Sequence, residues 1–145
     1  MKLCLALASV FTLGVFVGAQ RDSSGVVHAD PEKVAAALAK GATLVTRPDL
    51  IVSGSHREKG GQVEVHDKET DVLYIVDGAA TFAVGGQMVG GKSSQPGQWL
   101  GTDIAGAQTH RITKGDVFVV PAGIPHWFKE VPKSVSYFVV KVLKP

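Results

Sequence analysis

Cysteine is almost absent from this sequence. The 145 residues contain one, Cys4, and it lies within an apolar run at the N-terminus. The rest of the chain therefore has neither a disulfide nor a thiolate metal ligand, and a cysteine nucleophile is excluded there.

Net charge and aromatic residues are also scarce. The formal charge is +2, and the 15 basic and 13 acidic residues form no basic stripe, which argues against nucleic acid as a partner. Aromatic side chains make up 7%, so that valine, isoleucine and leucine are expected to supply most of the core. Two catalytic templates are missing. The Gly-x-Ser-x-Gly elbow does not occur, and Gly91-Lys92-Ser93 is not followed by the helical pattern that a phosphate loop requires.

The long apolar run lies at the N-terminus. Lys2 gives it a positive start, residues 3–17 are almost all apolar, and small residues precede Gln20. This pattern predicts a signal peptide over residues 1–19 and an exported protein, periplasmic or extracellular, with no membrane association after cleavage. The alternative is an uncleaved anchor, for which the run is short, because a spanning helix needs about 20 residues. A polar, serine-rich linker is predicted over residues 20–29.

Residues 30–145 are predicted to form one all-β domain that begins with a single short helix. Asp30 can cap this helix, Pro31 suits its first turn, and Gly41 ends it. Beyond Gly41, short apolar runs alternate with turn residues, which is typical of a β-sandwich or a jelly-roll barrel. The predicted strands are Thr43–Thr46, Leu50–Arg57, Gln62–His66, Val72–Val76, Ala80–Val84, Gln98–Ile104, Thr109–Ile112, Val117–Val120, His126–Lys129 and Val135–Val142.

Acidic and histidine side chains interrupt this strand pattern at two places. At the first, Glu64 and His66 project together, because residues two apart in a strand share a face. Asp71 opens the next apolar strand and shares a face with Leu73 and Ile75. A carboxylate among aliphatic side chains is costly unless a metal ion or a charge-assisted hydrogen bond compensates it.

The second place is the segment from Gly115 to Phe128. A buried strand ends here in a proline- and glycine-rich turn over residues 121–125, and the turn delivers His126 to the start of the next strand. By the same alternation Phe128 shares the face of His126 and is expected to line a pocket there.

The spacing of these two segments resembles the two sequence motifs of the cupin superfamily. The first motif reads Gly-x5-His-x-His-x3,4-Glu-x6-Gly, and its positions are taken by Glu58, Glu64, His66, Asp71 and Gly78. The second reads Gly-x5-Pro-x-Gly-x2-His-x3-Asn, and its positions are taken by Gly115, Pro121, Gly123, His126 and Glu130. The resemblance implies a cupin-type jelly-roll β-barrel that forms a homodimer, as many relatives do.

The resemblance also implies a divalent metal site. The metal-binding positions of the family fall on Glu64, His66, Asp71 and His126, so that a carboxylate replaces one family histidine and Asp71 replaces the longer glutamate. Two imidazoles and two carboxylates suit zinc, iron, manganese or nickel. Omitting either carboxylate leaves a two-histidine, one-carboxylate triad of the kind that binds non-haem iron. The alternative is a barrel without metal, in which both histidines are hydrogen-bonded inside and Glu64 faces solvent.

Glu64 and His110 are the catalytic candidates, as groups that move protons. His110 has the parity of Ile112 and is expected to face the barrel interior near His126, where it could replace the missing ligand or shuttle protons. The alternative for His110 is an ordinary wall residue.

Three functions are compatible with these residues. The first is a metalloenzyme, such as an oxygenase, lyase or isomerase, that acts on a small oxygen-bearing organic molecule outside the cytoplasm. The second is a non-catalytic barrel that binds a small molecule or a metal, and the third is a scaffold barrel without metal. The fold alone does not choose among them, because one fold hosts many chemistries.

Overall fold

The computed structural model describes residues 25–144, and strands dominate it. The predicted signal peptide and residues 20–24 of the predicted linker lie outside the described residues. The one helix of the described part, α1, spans Pro31–Lys40. The strands are β1 (Ala42–Thr46), β2 (Leu50–Arg57), β3 (Val63–His66), β4 (Glu69–Val84), β5 (Gln87–Val89), β6 (Lys92–Gln95), β7 (Gln98–Gly101), β8 (Asp103–Ala105), β9 (Gln108–Thr113), β10 (Val117–Val120), β11 (His126–Glu130) and β12 (Val135–Leu143). Across residues 25–144, no helix has the length and hydrophobicity that a membrane crossing requires.

The ends of α1 follow from its flanking residues. The Asp30 side chain accepts a hydrogen bond of 2.9 Å from the backbone N–H of Lys33 and so caps the first turn. At the other end, Gly41 has a φ of 75°, and its N–H donates to the carbonyl of Ala37 over 2.9 Å. These contacts confirm the predicted helix. It packs closely on β2 because Gly54 has no side chain: a Cβ there would lie 2.7 Å from the carbonyl carbon of Ala37.

Strand β4 is shared by two antiparallel sheets and determines the shape of the domain. Its first half pairs with β10 and β12, in a sheet of order β10-β4-β12-β2-β1. Its second half pairs with β9 and β11, in a sheet of order β9-β4-β11-β3-β7-β6. Strands β5 and β8 form a separate two-stranded ribbon. The curled antiparallel arrangement confirms the predicted all-β, jelly-roll-type fold.

An apolar cluster fills the space between the two sheets. Phe128 is central to it, since its ring centroid lies 4.8 Å from that of Phe82 and 4.8 Å from that of Tyr137. The buried members are Leu73, Ile75, Ala80, Phe82, Ile112, Val120, Phe128, Val135 and Tyr137. A second, smaller cluster of Val63, Ala83 and Ile104 lies on the other face of the second sheet, against the β5–β8 ribbon. The polar residues of the predicted site are therefore confined to one end of the space between the sheets.

Two strands that the sequence predicts separately form one continuous strand, β4, and Gly78 lies between them. The sequence predicts separate strands over Val72–Val76 and Ala80–Val84, but β4 runs through both. Gly78 has a φ of 80° and bends the strand without ending it, since Gly78 still pairs with Val135. The bend allows one strand to serve both sheets.

The strand prediction is also wrong around residues 92–105. The predicted strand Gln98–Ile104 is two strands, β7 and β8, and the predicted loop Ser93–Gly97 largely belongs to β6. All residues of β6 are exposed, so that no alternation of apolar and polar side chains marks it in the sequence. It is an edge strand held by its backbone pairing with β7.

We predict that Gly78→Ala destabilises the fold more than Gly85→Ala. The two glycines have φ of 80° and 78°, so that each substitution carries the roughly 1–2 kcal/mol cost of a side chain in the left-handed region. A Cβ at Gly78 would in addition lie 2.1 Å from the carbonyl oxygen of Ser134, whereas nothing lies within 4 Å of one at Gly85. Overpacking of this kind costs a further ~1–3 kcal/mol. Urea unfolding measures both losses, and equal losses would contradict the steric role of Gly78.

Candidate metal centre

Four predicted site residues meet at one end of the barrel interior. Strand β3 carries Glu64 and His66, β4 carries Asp71, and β11 carries His126. Glu64 and His126 are direct cross-strand partners in the second sheet, and Asp71 approaches from the first. The side chains of the two histidines and of Asp71 are each at most 8% exposed. Three of the motif positions are therefore buried together, and Glu64, with a side chain 32% exposed, is half-buried beside them.

The Nε2 atom of His66 is buried and has no hydrogen-bond partner among the described residues. It lies 3.5 Å from Oδ2 of Asp71 and 3.7 Å from Oε2 of Glu64. On the other side of the ring, Nδ1 bonds Oε1 of Gln98. The orientation of this amide follows from its Nε2, which donates to Oε1 of Glu69 over 2.7 Å, because a carboxylate only accepts. In the neutral ring, Nδ1 of His66 therefore carries the proton and Nε2 presents a lone pair.

His126 is oriented in the same way. Its Nδ1 donates to the carbonyl oxygen of Ile124 over 3.2 Å, so that Nε2 presents a lone pair 3.7 Å from Oδ2 of Asp71. Burial lowers the pKa of His126 and keeps the ring neutral at neutral pH. The centroids of the His66 and His126 rings are 5.1 Å apart. The lone pairs of two imidazoles thus converge on one carboxylate oxygen.

The pKa of His66 is shifted in the opposite direction. Burial lowers it, and so does the positive charge of Lys141, but Asp71 and Gln98 outweigh both and the pKa is raised. A proton and a metal ion compete for the same lone pair on Nε2. His66 therefore has two ways to compensate Asp71, by protonation in acid or by holding a cation.

Lys141, which the sequence motifs do not single out, is the counter-ion of Asp71. Its Nζ lies 2.9 Å from Oδ1 and 3.0 Å from Oδ2 of Asp71, and 2.9 Å from Oε2 of Glu69. Burial raises the pKa of Asp71, but His66 and Lys141 outweigh it and lower that pKa. Burial lowers the pKa of Lys141, and the two carboxylates raise it. The signal in the sequence is a lysine within the apolar residues 139–142, directly opposite Asp71 in the register.

Arg57 is the second cation that the motifs do not reveal. Its Nε donates to the hydroxyl of Tyr137 over 2.9 Å, and its Nη2 lies 3.5 Å from Oε1 of Glu64. The guanidinium lies over the Phe128 ring, 4.9 Å from its centroid. Burial lowers the pKa of Arg57, but Tyr137 and Glu64 outweigh it and raise that pKa, so that the side chain stays charged. Because two charged residues follow Arg57, the sequence resembles an ordinary solvated strand end.

A cavity of about 250 Å³ opens beside the cluster. Its charged and polar lining includes Arg57, Glu64, Asp71, His126, Tyr137 and Lys141, and its apolar lining includes Leu73, Phe128 and Val139. A small molecule in this space would contact the cluster on one side and apolar side chains on the other.

The structure does not bring His110 to the cluster. His110 is exposed on β9, and its ring centroid lies 5.3 Å from that of Phe118. Phe118 in turn contacts Phe82, which lies 6.3 Å from His126, so that two phenyl rings separate the histidines. His110 has the parity of the buried Ile112, as alternation predicts, but within residues 25–144 β9 pairs with β4 alone and the His110 side chain stays exposed. A role for His110 in proton transfer stays a prediction without support from this geometry.

Two overlapping groups of side chains have the spacing that a metal ion needs. They are Glu64, His66 and His126, and His66, Glu69 and Asp71, and within each group the ligand atoms lie within 4.8 Å of one another. Because Lys141 contacts both carboxylates of the second group, the first group has the freer donor atoms. Glu69 is absent from the motif assignment, although it shares the face of Asp71 two residues before it. The unpaired Nε2 of His66 fits a cation, since a buried polar atom without a partner is destabilising.

The fold and this cluster define the class of protein: a jelly-roll barrel with histidines and carboxylates gathered at one end. The family model described as Cupin matches residues 44–145, and the chain therefore belongs to the cupin family. No curated protein sequence matches the chain.

Solved structures of low sequence identity share the fold. The cupin domain of Cnp3 from Schizosaccharomyces pombe has a TM-score of 0.53 at 17% identity, over 71% of this chain and 63% of that chain. A conserved protein of unknown function from Streptococcus pyogenes has a TM-score of 0.50 at 21% identity, over 71% and 72%. A double-stranded β-helix protein from Klebsiella pneumoniae has a TM-score of 0.50 at 12% identity, over 70% and 69%. At such identities the likeness concerns the fold alone.

We predict that Lys141→Met lowers the free energy of unfolding by about 3–5 kcal/mol at pH 7, because two carboxylates lose their buried counter-ion. The folded pKa of Asp71 lies below its usual 3.8, so the stabilisation is present above pH 3.8 and is lost as the pH falls through the folded value. The decrease in the free energy of unfolding caused by Lys141→Met should therefore be smaller at pH 3, where Asp71 in the variant is protonated.

Urea unfolding at pH 7 and pH 3 in the presence of EDTA measures both effects. Lys133→Met is the matched control, since Lys133 is exposed and the substitution should change stability little. A loss of the same size at both pH values would contradict the pairing of Lys141 with Asp71.

Proposed function

We propose that the interior cluster binds a divalent metal ion and that the protein is a metal-dependent enzyme acting on a small oxygen-bearing organic molecule. The observation that carries the metal site is the buried, unpaired Nε2 of His66, with Nε2 of His126 and Oε2 of Glu64 beside it. Leaving such an atom without a partner costs roughly 1–3 kcal/mol, and a bond to a cation removes that cost.

The hydrogen bonds behind the two histidines support this assignment. Gln98 and the carbonyl of Ile124 each accept from an Nδ1–H, so that both rings are held with Nε2 toward the same space. Outer partners of this kind orient the imidazole ligands of metal sites. Glu64, His66 and His126 would form the primary ligand set, with Asp71 as a fourth ligand. Nitrogen and carboxylate donors suit zinc, iron, manganese or nickel.

The chain itself would bind and orient the substrate. A metal ion there would act as a Lewis acid toward an oxygen of the bound molecule. Glu64 directs Oε2 toward His66 and Oε1 toward Arg57, so that Oε1 lies at the cavity and could hold a proton from a bound molecule. The apolar side chains of Leu73, Phe128 and Val139 would exclude water from the rest of that molecule.

A non-catalytic barrel that binds a small molecule is the second candidate, and one contact favours it. The ammonium group of Lys141 already neutralises part of the charge of Asp71 and Glu69. The interior is therefore partly compensated without any metal, and the cavity alone would suffice for binding.

Export and self-association complete the proposal. The apolar residues 3–17 and the small residues before Gln20 support a signal peptide over residues 1–19. Membership of the cupin family supports a homodimer.

We predict that the protein, purified without a polyhistidine tag, contains close to one divalent metal ion per chain. His126→Ala should lose at least nine-tenths of it, because one of two imidazole ligands is removed. Elemental analysis by mass spectrometry measures the content. His28→Ala is the matched control, since His28 is exposed and far from the motif strands in sequence, and it should retain the metal.

Two results would count against this assignment. One is a protein that stays metal-free after incubation with Fe(II), Mn(II), Zn(II) and Ni(II), which would favour the binding barrel. The other is equal metal content in the His126→Ala and His28→Ala variants, which would place the ion elsewhere.

We predict further that the protein recovered from a bacterial periplasm or culture medium begins at Gln20. Removal of residues 1–19 by signal peptidase gives this N-terminus. N-terminal sequencing checks it, and a cell-associated chain that starts at residue 1 would support the uncleaved anchor instead.

A further inference from the structure

We infer that the cavity beside the proposed metal centre binds a small organic carboxylate and that Arg57 binds its carboxylate group. This inference rests on the proposed function, and it names the class of substrate for that site.

The first support is the way in which Arg57 is held at the cavity wall. Tyr137 accepts a hydrogen bond from Nε, and the Phe128 ring lies against the guanidinium, which fixes its plane. The contact of Nη2 with Glu64 is 3.5 Å, at the long limit of a hydrogen bond. Arginine has five N–H donors, and these contacts engage only part of them. A fixed guanidinium with free donors is suited to bidentate binding of a carboxylate.

The second support is that the other cation of the cavity is already engaged. Lys141 directs its ammonium group at both oxygens of Asp71 and at Glu69, with N–O distances of 2.9–3.0 Å. These contacts commit the ammonium group to two carboxylates, which leaves it less available to a ligand than Arg57. Of the two cations that line the cavity, Arg57 is therefore the one that can receive an anion.

The third support is the charge balance of the buried region. With both imidazoles counted as neutral metal ligands, Glu64, Glu69 and Asp71 bring three negative charges and Arg57 and Lys141 two positive charges, a net charge of −1 before the ion itself is added. A divalent ion changes this to +1. An excess charge at a partly buried site is unfavourable, and one monoanionic ligand brings the balance to zero. The loaded site thus favours an anion over a neutral molecule.

The size and lining of the cavity limit that anion to a small molecule. Its volume of about 250 Å³ lies below the roughly 300–1,000 Å³ of typical ligand pockets. Glu64 contacts both Arg57 and His66, so that the guanidinium lies one carboxylate away from the two histidines. A molecule with a carboxylate at Arg57 and a hydroxyl or carbonyl oxygen toward the cluster would bridge the two, with its carbon chain against Leu73 and Val139.

The test is calorimetric titration of the zinc-loaded protein with acetate, lactate and pyruvate, each compared with its neutral amide. We expect at least one carboxylate to bind and its amide to bind about 10- to 100-fold more weakly, the loss typical of a charge-assisted contact. Arg57→Gln should weaken carboxylate binding by the same factor. Arg57→Lys keeps the positive charge but lacks the paired N–H donors of the guanidinium, and it should weaken binding by less. Arg111→Gln is the matched control on an exposed arginine and should bind like the unchanged protein.

Three results would overturn the inference: no binding of any carboxylate, equal binding of acid and amide, or unchanged affinity in Arg57→Gln. Thermal unfolding and metal content of each variant are measured alongside, so that a loss of fold or of metal is not mistaken for a loss of the anion contact. Retained metal without carboxylate binding would reject this inference alone. Arg57-dependent carboxylate binding by a protein that takes up no metal would reject the metalloenzyme and leave the carboxylate site standing.

Discussion

The compensation of one buried carboxylate organises the interior of this protein. Asp71 is 5% exposed and has aliphatic neighbours on its own face of β4, so that its charge is tolerated only with partners at short range. Lys141 supplies a positive charge from the adjacent strand, and the two imidazole Nε2 atoms that approach Oδ2 from the other sheet add to the compensation when they bear a proton or hold a cation. The remaining polar contacts follow from these: Glu69 shares the ammonium group of Lys141, and Gln98 links Glu69 to the ring of His66.

This arrangement depends on a single strand that passes through both sheets. The first half of β4 carries Asp71, and the second half pairs with β11, which begins at His126. Gly78 makes this course feasible, since its positive φ bends the strand while its missing side chain lets the carbonyl of Ser134 approach closely. Gly78, the last glycine of the first family motif, therefore lies at the point where β4 passes from the sheet that contains Asp71 to the sheet that contains His126.

The two cations that line the cavity have different partners. Lys141 contacts the carboxylates of Asp71 and Glu69 over 2.9–3.0 Å. Arg57 lies at the cavity and compensates Glu64, which stands where the family motif has a histidine. A carboxylate at that position adds a negative charge that a neutral imidazole would not bring, and Arg57 at 3.5 Å offsets it.

The sequence by itself determined the features that depend on neighbours along the chain. Asp30 and Gly41 marked the helix through their local backbone contacts, and strand alternation placed Glu64, His66 and Asp71 on interior faces. Local rules were insufficient where a strand is held mainly by its partner, as in the polar β6, or where a glycine bends a strand without ending it, as in β4. Only the tertiary structure decided that Lys141 and Arg57 join the site and that His110 stays outside it. Lys141 and Asp71 are 70 residues apart in the chain, and they meet because the register of β12 on β4 aligns them. Such a register is set by the hydrophobic pattern of whole strands and by the turns that join them, so that it cannot be read from the residues next to Asp71 or Lys141 alone.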